Sequence, residues 1–201
     1  MRRKRIAALA VASILTLTGC GGEQPVLAPL ALPSAAGTIT STAPAAEFDY
    51  RKLSLQPQDM ALPNAGYSVP EAASVNPQGI PGAEVMITSD DSTNAVGITI
   101  SLLPDASTAP EELPKAVANL STVRSAAAPV SVAVGEEAVA ITGTTPDGTK
   151  SATALVFRQD RAIVRIDFYS LPGDPAPMEL VTDIGQKQAA AVRVGLSALG
   201  G

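Results

Sequence analysis

The chain has no histidine and no tryptophan, one cysteine in 201 residues, and only 3% aromatic residues. Each absence closes off some chemistry. Without imidazole there is no Ser-His-Asp triad, no HExxH zinc site and no histidine switch near neutral pH. A lone thiol forms no internal disulfide and builds no thiolate metal cluster. Ser-x-x-Lys, Gly-x-Ser-x-Gly and a Walker-type phosphate loop are also missing. An enzyme would have only carboxylates to work with. The expectation is therefore a chain with no catalytic residue, no cofactor and no metal.

Apolar residues make up 46% of the sequence. With so few aromatics, the core has to be built from Val, Ile, Leu and Ala. The 17 prolines are unevenly placed, and the formal net charge is −5. Four of the basic residues, Arg2, Arg3, Lys4 and Arg5, stand together at the start. Without them 10 basic residues face 19 acidic ones, a net of −9. A surplus of that sign repels polyphosphate backbones and anionic head groups. Nucleic acid is not an expected partner, and neither is a membrane gripped through a basic surface.

Residues 1–20 are MRRKRIAALAVASILTLTGC. The basic cluster has the character of a signal-peptide n-region, and Ile6 to Thr18 is an uncharged apolar run. That run is shorter than the roughly 18–20 residues a membrane-spanning helix needs. It ends in Leu17, Thr18, Gly19 and Cys20, which resembles the lipobox of bacterial lipoproteins. The resemblance implies that Leu17, Thr18 and Gly19 are recognised by the signal peptidase and that residues 1–19 are removed. Cys20 would then carry a diacylglyceryl thioether, with its freed amine open to further acylation. Two or more acyl chains, at about 0.8 kcal/mol per buried methylene, hold a protein durably on a bilayer. The implied location is the extracytoplasmic face of the cell membrane. An ordinary secreted protein with a cysteine near the cut is the competing reading.

Residues 20–47 are rich in Ala, Pro, Ser and Thr, with Glu23 and Glu47 as their only charges. This composition predicts a flexible tether rather than a packed segment. A coil of that length spans on the order of 30 Å. Residues 48–201 are expected to form a single α+β domain.

Within that domain, residues 83–88 and 95–103 read as strands joined by a turn at SDDSTN. Val96, Ile98, Ile100 and Leu102 alternate with Gly97, Thr99 and Ser101, the period of a sheet with one buried face. A helix is expected over 108–124, capped by Thr108 and Glu111 and opposed by Pro114. Three strands follow, near 130–142, 150–158 and 162–169, with TTPDGTK as the first turn. An amphipathic helix closes the chain over 177–199, with Val181, Gly185, Gln188 and Val192 on its apolar side. Gly185 suggests a close approach to a strand. The economical assembly is one antiparallel sheet of about five strands with the helices packed on one face.

This order, with VTDIGQKQAAAV on the last helix and PDGTK in the hairpin, resembles the small domains of mycobacterial lipoproteins of the LpqN type, which have a PsbP-like sandwich. It is also similar to the extracellular sensor domains of mycobacterial receptor kinases. Those domains usually carry paired cysteines and tryptophan, which this chain lacks.

Candidate sites are few. Asp90, Asp91 and Asn94 offer oxygen ligands for a hard cation, but without the ligand count and spaced glycine of an EF-hand, and a polar hairpin tip is the expected reading. Tyr67 lies in a long irregular loop, 64–82, of the kind that carries binding on a rigid scaffold. Arg158, Arg161 and Arg165 fall on one hairpin and suggest a small basic patch, or simple protection against aggregation. The leading expectation is a lipid-anchored envelope lipoprotein with a non-catalytic binding domain for an envelope protein, glycan or lipid. A carrier of lipid or another hydrophobic ligand is the alternative, and it requires an apolar cavity of more than a few hundred Å³ between helix and sheet. A carboxylate hydrolase is the remote one, and it requires converging acids in a cleft.

Overall fold

Branched side chains alternating with small or polar ones set the centre of the sheet, as the sequence period predicts. The computed structural model describes residues 48–60, 66–69, 74–76, 79–124 and 126–199. These belong to one unit, Pro44–Gly201. Cys20, Leu17, Thr18, Gly19 and nearly all of the expected tether lie outside the described residues.

The strands are β1 (Tyr67–Ser68), β2 (Ser74–Val75), β3 (Gly82–Ser89), β4 (Ala95–Leu102), β5 (Val130–Ser131), β6 (Glu137–Thr144), β7 (Ser151–Gln159) and β8 (Ala162–Ser170). They form one open antiparallel sheet with the path β1-β3-β4-β8-β7-β6-β5, and β2 also pairs with β3. The class is α+β, but the strand count exceeds the expected five. The five long strands are the expected ones; three two-residue strands are added at the edges.

β5 arises because the stretch expected as one strand over 130–142 folds back on itself. Val130 pairs with Ala140, and Gly135 takes φ +56 in the bend. A side chain at Gly135 would meet the Arg158 carbonyl and the Phe157 ring. β1 and β2 lie within the loop expected to be irregular. Short strands of this kind cover the outer hydrogen-bonding groups of β3 and β6 and blunt both edges against pairing with another chain.

The helices are α1 (Ala109–Ala118) and α2 (Met178–Leu199). They lie on opposite faces of the sheet, which corrects the expectation of one shared face. On the inner face Val85, Ile87, Ile98, Ile100, Leu155, Phe157, Val164 and Ile166 pack with Val181, Ile184 and Val192 of α2. On the outer face Val156 and Ile163 pack with Ala109 and Leu113 of α1, and Val123 covers Ile141, Ala152 and Ala154. β7 is thus buried on both sides, and its run Ala152–Phe157 is apolar almost without interruption for that reason.

α1 is shorter than expected. Its start is fixed by a preceding 3-10 turn, Ala106–Thr108, in which Asp105 accepts from the Ser107 N–H at 2.8 Å. Thr108 has helical angles and makes no cap bond, so the Thr108–Glu111 box does not form. Pro114 sits on the exposed side of α1.

α2 follows the predicted wheel, with Ile184, Ala189 and Gly195 added to the buried set. At Gly185 a Cβ would stand 2.5 Å from Leu155 Cδ2 and 3.0 Å from Val134 Cγ2. This is the close approach the glycine suggested. Gln188 is fully buried among the apolar residues. Its Nε2 donates to the Leu53 carbonyl at 2.6 Å and its Oε1 accepts from the Leu55 N–H at 3.0 Å. That double bond ties the segment around the 3-10 turn Tyr50–Leu53 to α2.

Candidate functional site

The ends of β3 and β8 and the starts of β4 and β7 meet at one end of the sheet. Two turns stand there with the same local chemistry. In the β3–β4 turn, Asp91 Oδ1 accepts from Ser89 Oγ at 2.6 Å, Thr93 N at 3.0 Å and Thr93 Oγ1 at 2.8 Å. In the β6–β7 turn, Asp147 Oδ1 accepts from Thr145 Oγ1 at 2.6 Å, Thr149 N at 3.1 Å and Thr149 Oγ1 at 2.9 Å. The Ser89 hydroxyl holds Asp91, and the Thr145 hydroxyl holds Asp147, below the usual carboxylate range, with the following threonine adding to each. Lys150 Nζ joins the two turns by donating to the carbonyls of Ser92 and Thr93, both at 3.3 Å. Asp91 Oδ1, one of the oxygens considered for a cation, is therefore occupied in closing its turn.

Beside these turns a pocket of about 200 Å³ opens on the inner face. Val96 and Phe168 come from the middle of the sheet, Tyr67 from its edge, and Pro175, Pro177 and Leu180 from the approach to α2. Asn94, Ser170 and Asp174 supply the polar side chains among its borders. The connection from β8 to α2 is held by Ser170 Oγ donating to the Asp174 carbonyl and by the Asp174 N–H donating to the Leu171 carbonyl at 3.1 Å. Two prolines fix the wall further by fixing φ. Burial pushes the Tyr67 phenol up, and the Asp91 carboxylate adds to the shift. Tyr67, singled out by its loop, thus borders a formed hollow.

Arg158, Arg161 and Arg165 do not gather into a patch. Arg158 pairs with Glu136 and, at 3.3 Å, with Glu137. Arg161 donates to the Leu103 carbonyl at 3.2 Å from the β7–β8 turn. Arg165 lies on the outer face, where its Nε is 2.8 Å from Asp167 Oδ2. That contact is an ion pair rather than an aligned hydrogen bond. The other oxygen of Asp167 accepts from Thr122 Oγ1 at 2.7 Å, which fixes the segment after α1 to the sheet. Burial pushes the Asp167 carboxyl up against the opposing pull of Arg165 and Thr122. Burial also raises the Tyr169 phenol to about 12, with Asp167 contributing. Both oxygens of this buried acid are engaged, so its perturbation has a structural cause.

The interface between α2 and the sheet is filled by Val181, Ile184 and Val192, all at 0% exposure. The larger hollows, about 460 and 430 Å³, are open to the exterior around Phe48 rather than enclosed between helix and sheet. The cavity that the carrier reading requires is not found among the described residues. No helix among the described residues is long and apolar enough to cross a membrane.

Sequence reasoning missed Asp174, Phe168 and the Pro175–Pro177 wall. The stretch PGDPAP between a strand and a helix was the signal available, as a stiff connector next to a strand end.

No family model matches the chain, and no curated protein matches it. Among solved structures it is similar to the extracellular domain of PknH from Mycobacterium tuberculosis, at 10% identity and a TM-score of 0.38. The likeness covers 57% of this chain and 63% of that one, so the chain spans less than two thirds of its length. It is a weak likeness of chain path, and none of the pocket residues is transferred across it.

Proposed function

We propose that this chain is a lipid-anchored lipoprotein of the extracytoplasmic face of the cell membrane, and that its folded domain is a non-catalytic binding module. The anchoring half rests on the basic cluster, the apolar run and the Leu17-Thr18-Gly19-Cys20 sequence. The binding half rests on one observation: the formed pocket under Tyr67, built from three separate segments at the end of the sheet where the turns gather. A rigid sheet displaying connecting segments around a hollow is a common way to build a recognition site. The partner is an envelope protein, and the domain needs no cofactor for this role. The filled α2 interface does not favour a carrier, and the engagement of Asp167 by Arg165 and Thr122 does not favour a carboxylate hydrolase.

Two experiments test the two halves. Intact mass of protein extracted from membranes should show acyl mass on Cys20, and Cys20→Ala should move the protein out of the membrane fraction. Unmodified wild-type protein in the medium would refute the anchor. For binding, a photo-crosslinking residue placed at Tyr67 in the native envelope should capture a discrete protein partner, whereas the same residue at the exposed Lys115 should not. Equal capture from both positions would remove the pocket from the proposal.

A further inference from the structure

The pocket's size and charge narrow what it holds. An apolar cavity of roughly 150 Å³ accommodates one benzene ring. The Tyr67 pocket, at about 200 Å³, has room for one aromatic ring and its first linking atoms. It falls below the roughly 300–1,000 Å³ of drug-sized ligand sites, and hence below what an acyl chain or a sugar chain needs. Tyr67, Val96, Phe168, Pro175, Pro177 and Leu180 give such a ring apolar and aromatic contact.

The residues that border the pocket carry charge of one sign. No Lys or Arg occurs in the sequence between Lys52 and Lys115, and none between Arg165 and Lys187. The pocket draws all of its bordering residues from these two stretches. Asp174 stands among those residues, and Asp90 and Asp91 stand in the adjoining β3–β4 turn. The Asp91 carboxylate is close enough to act on the Tyr67 phenol. Lys150 is the cation in the turns at this end; its ammonium is fixed on the Ser92 and Thr93 carbonyls and is outnumbered there by the Asp90, Asp91 and Asp174 carboxylates. Carboxylates thus come from two segments, the β3–β4 turn and the β8–α2 connection. A chain crossing the mouth would meet negative charge from both of them.

We propose that the Tyr67 pocket receives the aromatic side chain of a partner protein segment in which that residue is flanked by Lys or Arg. This rests on the binding-module reading and names the partner's chemistry. The ring supplies buried apolar area, while the flanking cations supply selectivity and faster encounter.

The absence of tryptophan from the chain gives a clean assay. The full chain is placed in phosphatidylcholine vesicles, and the probe is the peptide acetyl-Gly-Lys-Trp-Lys-Gly-amide, whose indole is then the sole tryptophan. Emission should shift to the blue and saturate as the protein is added, relative to empty vesicles. Affinity for the corresponding Glu-Trp-Glu peptide should be at least tenfold weaker, and Lys-Ala-Lys should not compete. Ala176→Leu, which places bulk at the pocket wall, should abolish the shift. Asp174→Asn should weaken binding severalfold and narrow the gap between the two Trp peptides. Unfolding midpoints separate a blocked pocket from a misfolded one, and Tyr67→Ala, at the sheet edge, serves as the second variant and should also weaken ring burial. No saturable shift, equal binding of the Glu peptide, or binding indifferent to both pocket variants would overturn the assignment. If crosslinks from position 67 persist in the envelope while the Lys-Trp-Lys peptide fails, the ring-and-cation assignment falls and the binding module stands. Loss of both sinks both.

Discussion

Replacing Arg165 with methionine isolates the electrostatics of the outer face. The substitution keeps most of the apolar stem and leaves Asp167 without its partner. Breaking a buried ion pair by removing one member costs about 3–5 kcal/mol. Here the pair is uneven, with the Arg165 side chain 32% exposed and the Asp167 side chain 6% exposed. Thr122 also continues to donate to the carboxylate at 2.7 Å. Partial solvation and the surviving hydrogen bond place the expected loss at about 2–3 kcal/mol near pH 7. The sign of its pH dependence follows from the raised carboxyl of Asp167. A group raised on folding binds its proton more tightly in the folded chain. Its contribution is most favourable below the unfolded carboxyl value, near 4, and declines as pH rises towards the folded value. Removing Arg165 takes away the main influence that lowers the carboxyl, so the decline extends closer to neutrality. The loss should therefore be largest at pH 7.5 and shrink at pH 5. One group changes stability by at most about 1.4 kcal/mol per pH unit. Urea unfolding followed by circular dichroism at both pH values measures it. The double variant Arg165→Met/Asp167→Asn, with no charge left to strand, should return to within about 1 kcal/mol of wild type at both. A loss that is the same at both pH values, or that persists in the double variant, would refute the account.

Gln188→Leu should cost about 2–4 kcal/mol, because it leaves the Leu53 carbonyl and the Leu55 N–H without the partners they have now; a fall in the urea midpoint with an unchanged slope checks it. Gly185→Ala should destabilise by about 1 kcal/mol in the same assay, since overpacking against Leu155 and Val134, at about 1–3 kcal/mol, exceeds a helix-propensity gain of at most about 1 kcal/mol. A stabilised Gly185→Ala variant would show that the helix and β7 separate easily. Asp91 and Asp147 are both held low by their turns, so their contribution is present above the unfolded carboxyl value and is lost as pH falls through the folded ones. The double variant Asp91→Asn/Asp147→Asn should flatten the acid limb of the stability profile; an unchanged limb would mean that neither turn is coupled to folding.

The elements themselves were largely legible. Period-two alternation located β4, turn residues set off β7, and the helical period located α2; the two periods both reflect a single buried face. What escaped was non-local. SATALVF breaks the alternation since β7 is covered from both sides, and taking the helices as sharing one face overlooked that run. Gly135 looks like any glycine until β5 folds back beside β6 and brings the Arg158 carbonyl against it. Arg158, Arg161 and Arg165 are neighbours in sequence. The acids and carbonyl that occupy them come from β6, the segment after β4, and β8 itself. The pocket joins Tyr67, Val96 and Phe168 across about a hundred residues, and no local pattern links them.

The position of the pocket along α2 bears on the anchored reading. Leu180, near the start of α2, borders the pocket, while Gly195, near its end, contacts Leu53 beside the first described residues. At 1.5 Å per residue these two points are about 22 Å apart along the helix axis. Phe48, the first described residue, lies with Val194 and Ala198 at that far end. Phe48 therefore stands at the end of α2 opposite the pocket. An attachment joined to the domain through Phe48 would enter at that end and leave the acidic mouth around Tyr67 clear of the point of entry. Moving the attachment tests this directly: the described domain joined to a membrane anchor through Leu199 would again be held from the far end of α2, and envelope crosslinking from position 67 should survive. Joined instead through the β3–β4 turn at Ser92, the domain would carry its anchor beside the pocket, and that crosslinking should be lost.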